Sequence, residues 1–444
     1  MQIDELDLNG GAFSMTLPYN FWGWVIWAIG LVLIPIGIVM TGENGPIALV
    51  FTMVGLLLMA FTTPGSFEAS LHKVRQGAID PAELEAKAQA SGLSIDNWWL
   101  QQTTYVPTND PSDWILPAPG PATWDENNRY GPHEDGSALP EHPVKVGTPI
   151  PASFTLFSVY SLGAIAIMLY IGLLITPTVE RTYLPPLIIS AIGLIATLIG
   201  YFRAKIIRQM MDTPTSLIRS MAVGNPELVG QVRPVPEGCL TVVVDGNQNM
   251  TVPNMVGYRW TYEQYQCRTT TDSEGNSKET CNWVTVRADD GGCPFILHDG
   301  TGGVRVNTDS FKRTDWGKYL KRWDGSFAQT LGKQLMASAV AGLLGGATIK
   351  KHRWTLYGLK LGNPVYLLGQ ASPRSQEALA AENLDGSLAN SLLEVWGNED
   401  APGVKCTMHR GTELSNLGRS RSPLEMVMVP AILMIGGLAL LGIA

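Results

Sequence analysis

Charge is what this sequence has least of. Only 16% of its 444 residues are charged, against about 25% in an average globular chain. The deficit is concentrated in five runs that contain no charge: Phe21–Met40, Ile47–Phe61, Phe154–Thr176, Leu184–Tyr201 and Met426–Ala444. Such blocks exclude a soluble enzyme and a disordered chain. They also exclude an outer-membrane barrel, whose segments alternate over roughly ten residues. A cationic excess is lacking too: 31 Lys and Arg stand against 39 Asp and Glu, a net charge of −8, which excludes nucleic acid as a main partner. No Lys or Arg precedes the first run, so it is read as a retained span and not as a cleaved signal peptide. With five Cys and six His in total, the eight closely spaced ligands of a two-zinc RING finger are missing. The runs themselves hold no Asp, Glu, Lys, Arg or His, which argues against a substrate-coupled transporter.

What is present is membrane architecture. About 20 apolar residues span a bilayer as a helix, within a range of about 17–25. Four of the runs meet that length, and the second extends to residue 63. The expected spans are 21–40 and 47–63 as one hairpin, 154–176 and 184–202 as a second, and a last helix at 425–444. Residues 1–20 form a tail. Trp22, Trp24 and Trp27 are interfacial aromatics. Lys73, Arg75, Arg203, Lys205, Arg208, Arg410, Arg419 and Arg421 flank span ends on one side, and only Arg181 flanks the other. Basic flanks stay inside, so the expected orientation in a cell membrane places the N-terminus and the soluble parts in the cytoplasm and the C-terminus outside. Gly163 with Ala164 and Ala166, and Gly436 with Gly437, suit close helix packing.

Between the hairpins, 64–152 reads as a short helical segment (Ser66–Gly77, then a helix starting at Asp80-Pro81) followed by a Pro-, Asn- and Asp-rich linker. That composition buries no core of its own, so Thr103–Pro151 is read as a linker or strap, with Trp114 and Trp124 as its anchors. Beyond the fourth span the pattern changes to β-like runs: Leu228–Val232, Leu240–Val244, Val256–Gln266, Asn282–Ala288, Phe295–Leu297, Val304–Val306, Thr355–Leu359 and Val365–Leu368. The clearest unit is a hairpin in which Cys267 and Cys281 lie symmetrically about Glu274 and can form either a disulfide or a cross-strand thiol pair. Cytoplasmic thiols stay reduced, and a structural disulfide would favour the opposite topology. Leu335–Ile349 is apolar and Ala/Gly-rich but short for a span, and reads as an interfacial, re-entrant or core helix, with a true crossing, which would reverse the C-terminus, as the alternative.

The strongest local signal is Pro294–Val306, where a strand enters the turn His298, Asp299, Gly300, Thr301, Gly302, Gly303 and a second strand leaves. The turn is structural. It lacks the Lys-Ser/Thr ending of a phosphate loop, and no helix follows. Together with Asp212–Gly224, the stretch through Trp260 and Cys267, and Leu361–Gly369, this region resembles the GIDE or BAM ("beside a membrane") domain over about residues 210–372. The family occurs in organellar outer-membrane ubiquitin ligases and in prokaryotic membrane proteins. The resemblance implies a multi-pass α-helical membrane protein carrying a β-rich, α+β soluble module (203–424) between its last two transmembrane helices. In the ligases a RING follows; here it does not.

No catalytic, cofactor or metal residues are assigned. His298 beside Asp299 has no nucleophile partner. Cys406-x-x-His409 offers two of four zinc ligands, and His133, Glu134, Asp135, Glu141 and His142 lie in a solvated Pro-rich stretch. Arg203, Lys205, Arg208 and Arg219 are the candidate contacts to anionic lipid headgroups. The expected function is a non-enzymatic membrane anchor that presents the module to a protein partner or a lipid surface, with homo-oligomerisation open. The alternatives are a ligase-like enzyme component without its own RING, and a channel or transporter subunit.

Overall fold

The structure, a computed structural model, describes residues 10–69, 128–132, 151–179, 182–212, 215–271, 277–326, 348–384, 386, 388–398, 405–411 and 420–443. The chain divides into two compact units, one of Met1–Asp80, Pro143–Pro214 and Glu413–Ala444, the other of Pro81–His142 and Thr215–Thr412.

The first unit is helical: α1 (Phe21–Asn44), α2 (Pro46–Thr62), α3 (Leu156–Ile175), α4 (Leu184–Asp212) and α5 (Pro423–Leu441). Capping fixes several starts. The side chains of Asn20, Thr155 and Ser422 accept from first-turn amides of α1, α3 and α5, and Pro46 and Pro423 stand where a helix needs no amide donor. Only Gly45 separates α1 from α2. Four stretches, Phe21–Gly42, Leu156–Thr178, Leu184–Arg208 and Pro423–Leu441, are long and apolar enough to cross a membrane, and Ala48–Thr62 is a shorter apolar helix. Only 11% to 28% of each long span's apolar window is buried, so most of this apolar surface faces outward. Small residues set the helix contacts: a Cβ on Gly30 would lie 2.6 Å from Gly55 O, and one on Gly437 2.7 Å from Ser190 N. A two-residue parallel pair, β1 (Phe13–Ser14) with β2 (Phe154–Thr155), completes the unit as described.

Helix boundaries depart from the expected ones at two functional ends. α4 continues to Asp212, so Arg203, Lys205 and Arg208 lie on the helix and not after it. α5 begins at Pro423, two residues before the expected start at 425.

The second unit is β-rich, with strands β3 (Glu227–Arg233), β4 (Leu240–Val243), β5 (Thr251–Thr271), β6 (Ser277–Gly292), β7 (Phe295–His298), β8 (Gly303–Val306), β9 (Thr314–Asp315), β10 (Lys321–Ser326), β11 (Thr348–Lys360), β12 (Pro364–Leu368), β13 (Gln370–Pro373), β14 (Leu393–Trp396) and β15 (Thr407–Arg410). All eight β-like runs form strands here, except that Val244 at the end of the second opens a 3-10 turn, and β9, β10, β13, β14 and β15 are additional. The expected apolar helix at 335–349 needs correction at its end. Thr348 and Ile349 open β11, because β11 continues the ladder with β5 to Cys267; 335–347 lies outside the described residues. So do Trp114, Trp124, most of the 64–127 segment and the hairpin tip.

One sheet is β10-β11-β5-β4 with β6 also on β5, and the other is β13-β14-β8-β7-β3-β12-β15-β9. In the eight-stranded sheet, pleating sorts the side chains. Leu228, Val232, Leu297, Val304, Val365, Leu367 and Met408 enter one apolar core. The register places Glu227, Val229, Gln231, Arg233, Ile296, His298, Tyr366 and His409 on the opposite face. All seven residues of β3 are buried, its charged and polar ones included.

Candidate functional site

The site lies on the polar face of the eight-stranded sheet, around the β7–β8 turn. His298 is fully buried. Its Nδ1 accepts from Gly300 N at 3.0 Å, which leaves Nε2 protonated to donate to Gly131 O at 2.8 Å. Asp299, also fully buried, accepts through Oδ1 from Thr301 N (2.8 Å), Thr301 Oγ1 (2.7 Å) and Gly302 N (3.1 Å), and through Oδ2 from Ile218 N (2.9 Å). Gly300 has φ +85°, the left-handed region that a side chain disfavours. The imidazole and the carboxylate are both engaged by backbone groups. The turn is therefore a scaffold, and what it holds is a peptide.

That peptide is Asn128–Pro132. Tyr130 O accepts from Asn390 Nδ2 at 2.8 Å and Gly303 N at 3.3 Å. A Cβ on Gly303 would overlap Arg129 O, so glycine is required here for close backbone approach. The Tyr130 ring packs with Val235 and Ile296, flanked by Leu384 and Leu388. Its hydroxyl donates to Glu382 Oε2 at 2.5 Å and accepts from Arg374 Nη1 at 3.0 Å. Glu382 also pairs with Arg374 and, at 2.8 Å, with Arg305, which pairs in turn with Glu237 at 2.9 Å. Burial and the adjacent Glu382 push the Tyr130 phenol above its ordinary value. Glu237 lies below its own; burial, the largest single influence, opposes this, but the Arg305 hydrogen bond and charge, a backbone hydrogen bond and the Arg374 charge together outweigh it. A buried carboxylate between two guanidiniums is costly to disrupt, because removing one partner leaves an uncompensated charge. The linker's anchor among the described residues is thus Tyr130, which no apolar or tryptophan signal in the sequence distinguished.

Two further buried acids escaped sequence reasoning. Glu227, at the start of β3, receives Thr215 Oγ1 at 2.8 Å and Tyr366 OH at 2.7 Å. Burial pushes its carboxyl up to about 7, and those two donors pull the other way. In the helical unit, Glu425 is fully buried in the first turn of α5. Its Oε1 accepts from Thr155 N (3.0 Å), Thr155 Oγ1 (2.7 Å) and Ser158 Oγ (2.7 Å), at the N-terminus of α3. The Ser422-x-x-Glu425 spacing is the capping-box pattern that could have revealed it. Ser422 Oγ does accept from Glu425 N at 3.1 Å, while the carboxylate serves the neighbouring helix.

The remaining candidates are separated. Arg203, Lys205 and Arg208 are exposed on α4 in the helical unit, and Arg219 is exposed in the β-rich unit. Cys267 and Cys281 face each other across β5 and β6, Cα atoms 4.0 Å apart, and are bonded as a disulfide; Cys239, Cys293 and Cys406 are outside any disulfide. Among the described residues one cluster has metal-ligand spacing, Cys267, Glu279 and Cys281, and the disulfide engages two of its three members. The chain matches no family model, no curated protein and no solved structure.

Proposed function

We propose that this chain is a non-enzymatic integral membrane protein whose apolar helices anchor a β-rich, GIDE-like interaction module at a membrane surface. One observation carries the anchoring: long helices whose apolar side chains face outward instead of filling a core, such as Val32, Val39, Ile195 and Ile435 at 57%, 76%, 59% and 60% exposure. Water penalises such a surface by about 25 cal/mol per Å², and lipid removes the penalty. The interaction role is supported by a buried polar site whose groups hold a peptide turn and present no activated nucleophile. Arg203, Lys205 and Arg208 then supply contacts to anionic headgroups worth about 1 kcal/mol each. Alkaline-carbonate washing of membranes containing the full chain tests the anchor: the protein is expected in the pellet, and release into the wash refutes the reading.

The charge distribution favours a cytoplasmic module. A second orientation is favoured by the Cys267–Cys281 bond, since structural disulfides persist in oxidising compartments. Labelling the module from each side of intact cells or sealed vesicles with a membrane-impermeant reagent decides between them.

A further inference from the structure

Two cysteines outside the Cys267–Cys281 bond are brought together by the registers of the five-stranded sheet. β11 occupies one edge of β5 from Met255 to Cys267, so β4 and β6 must share the other edge, where they lie end to end. β4 starts at Leu240, which pairs with Met255, and Cys239 immediately precedes it. β6 ends at Gly292, which pairs with Gly257, and Cys293 immediately follows it. Continuing either ladder by one residue reaches Val256. Both cysteines therefore converge there. The Cys293 amide donates to Val256 O at 2.9 Å, its thiol reaches Met255 O at 3.9 Å, and the Leu240 amide, bonded directly to Cys239, faces the Cys293 sulfur. Both side chains pack on the core around Val256, Phe295 and Leu359, and both are half-buried.

Cys239 also ends a turn that walls the Tyr130 pocket. Val235 packs on the Tyr130 ring, Glu237 pairs with Arg305 at 2.9 Å, and Gly238 has φ +91°. Anything that fixes Cys239 fixes this wall.

We propose that Cys239 and Cys293 are a second cross-linking site, which a small disulfide of the glutathione class oxidises to an internal bond that ties the 234–239 turn to the end of β6. One protein thiolate attacks the small disulfide, forming a mixed disulfide and releasing one small thiol. The other thiolate then attacks the protein sulfur of that mixed disulfide and releases the second. The two electrons pass to the small disulfide, and the two thiol protons end on the released thiols. Burial and the neighbouring Cys293 push the Cys239 thiol up to about 11, and burial raises Cys293 as well. Thiols so raised ionise little at neutral pH, so the bond forms slowly. Once formed it resists reduction, because the reduced pair gains nothing from ionisation.

The experiment uses the full chain in detergent, incubated with glutathione disulfide at mildly alkaline pH, blocked with maleimide and digested without reductant. Mass spectrometry is expected to find peptides joined through 239 and 293, two hydrogens lighter than their sum and free of glutathione. The same bond in the untreated chain supports the site equally. Cys239→Ser should instead keep glutathione on Cys293, and Cys293→Ser should keep it on Cys239. Wild type that carries glutathione on the two cysteines separately, or that yields no joined peptides, overturns the proposal; that result is read on wild type alone, so a variant that fails to fold does not affect it. After the same treatment the cross-linked chain should melt about 5–10 °C above Cys239→Ser. If Cys239→Ser has lost its own transition, the comparison is made between treated and untreated wild type. A joined chain with an unchanged midpoint overturns the pinning of the turn.

Discussion

Replacing Glu227 by Gln isolates one buried carboxyl whose protonation is coupled to folding. The side chain is fully buried in a strand that is buried on both faces. Its carboxyl is held near 7, against an ordinary value of 4.5, chiefly by loss of hydration. The folded-state value is raised, so the native state binds the proton more tightly than the unfolded chain does. The resulting stabilisation is complete below about pH 4.5 and is lost as pH rises through about 7, and the interval is worth about 3 kcal/mol. The amide is neutral throughout and keeps an acceptor oxygen for Thr215 or Tyr366, so its own offset is independent of pH. The observable is the difference between the two proteins. Relative to wild type, the variant should gain about 3 kcal/mol between about pH 4.5 and about pH 8, or roughly 10 °C in the midpoint for a unit of this size. Thermal unfolding of the full chain in detergent, followed by tryptophan fluorescence, measures it. A gap that stays constant across that range would show that Glu227 is not held neutral by the fold.

Glu425→Ala strands the Thr155 amide and two hydroxyls that end on its Oε1, and should cost about 3 kcal/mol in denaturant unfolding; Glu425→Gln, which keeps an acceptor, should cost less than half of that. Reduction of Cys267–Cys281 opens a loop with a sequence separation of 14 and should lower unfolding stability by about 3 kcal/mol. In the non-reduced protein, maleimide should modify neither Cys267 nor Cys281, and mass spectrometry of the labelled chain would expose the error if it does. Gly200→Leu places a side chain against Met426 O, where even a Cβ overlaps. It should separate α4 from α5 and destabilise by about 1–3 kcal/mol or more, read as a lower midpoint in detergent.

The helices were legible because an uncharged block of about 20 residues says the same thing in any context: its length and its neighbours in sequence suffice. The β5–β6 register was legible for a related reason, since the symmetric placement of Cys267 and Cys281 about Glu274 is a local count, and the ladder pairs those two residues directly. Strands β9, β13, β14 and β15 gave no such signal. They are two to four residues long, too short for a period-2 pattern to separate from chance, and long-range pairing holds them in place.

The buried acids and the Tyr130 pocket depend on tertiary structure entirely. Nothing within a few residues of Glu227 marks it as dry; it is dry because β3 runs between β7 and β12. Tyr130 and Arg374 are 244 positions apart, and no periodicity spans that distance. Sequence alone determined where apolar residues are continuous enough to form helices that could cross a membrane, because hydrophobicity is a sum over neighbours in the chain. Only the fold decided which polar groups lose their water and which partners replace it, because desolvation depends on what arrives from elsewhere in the chain.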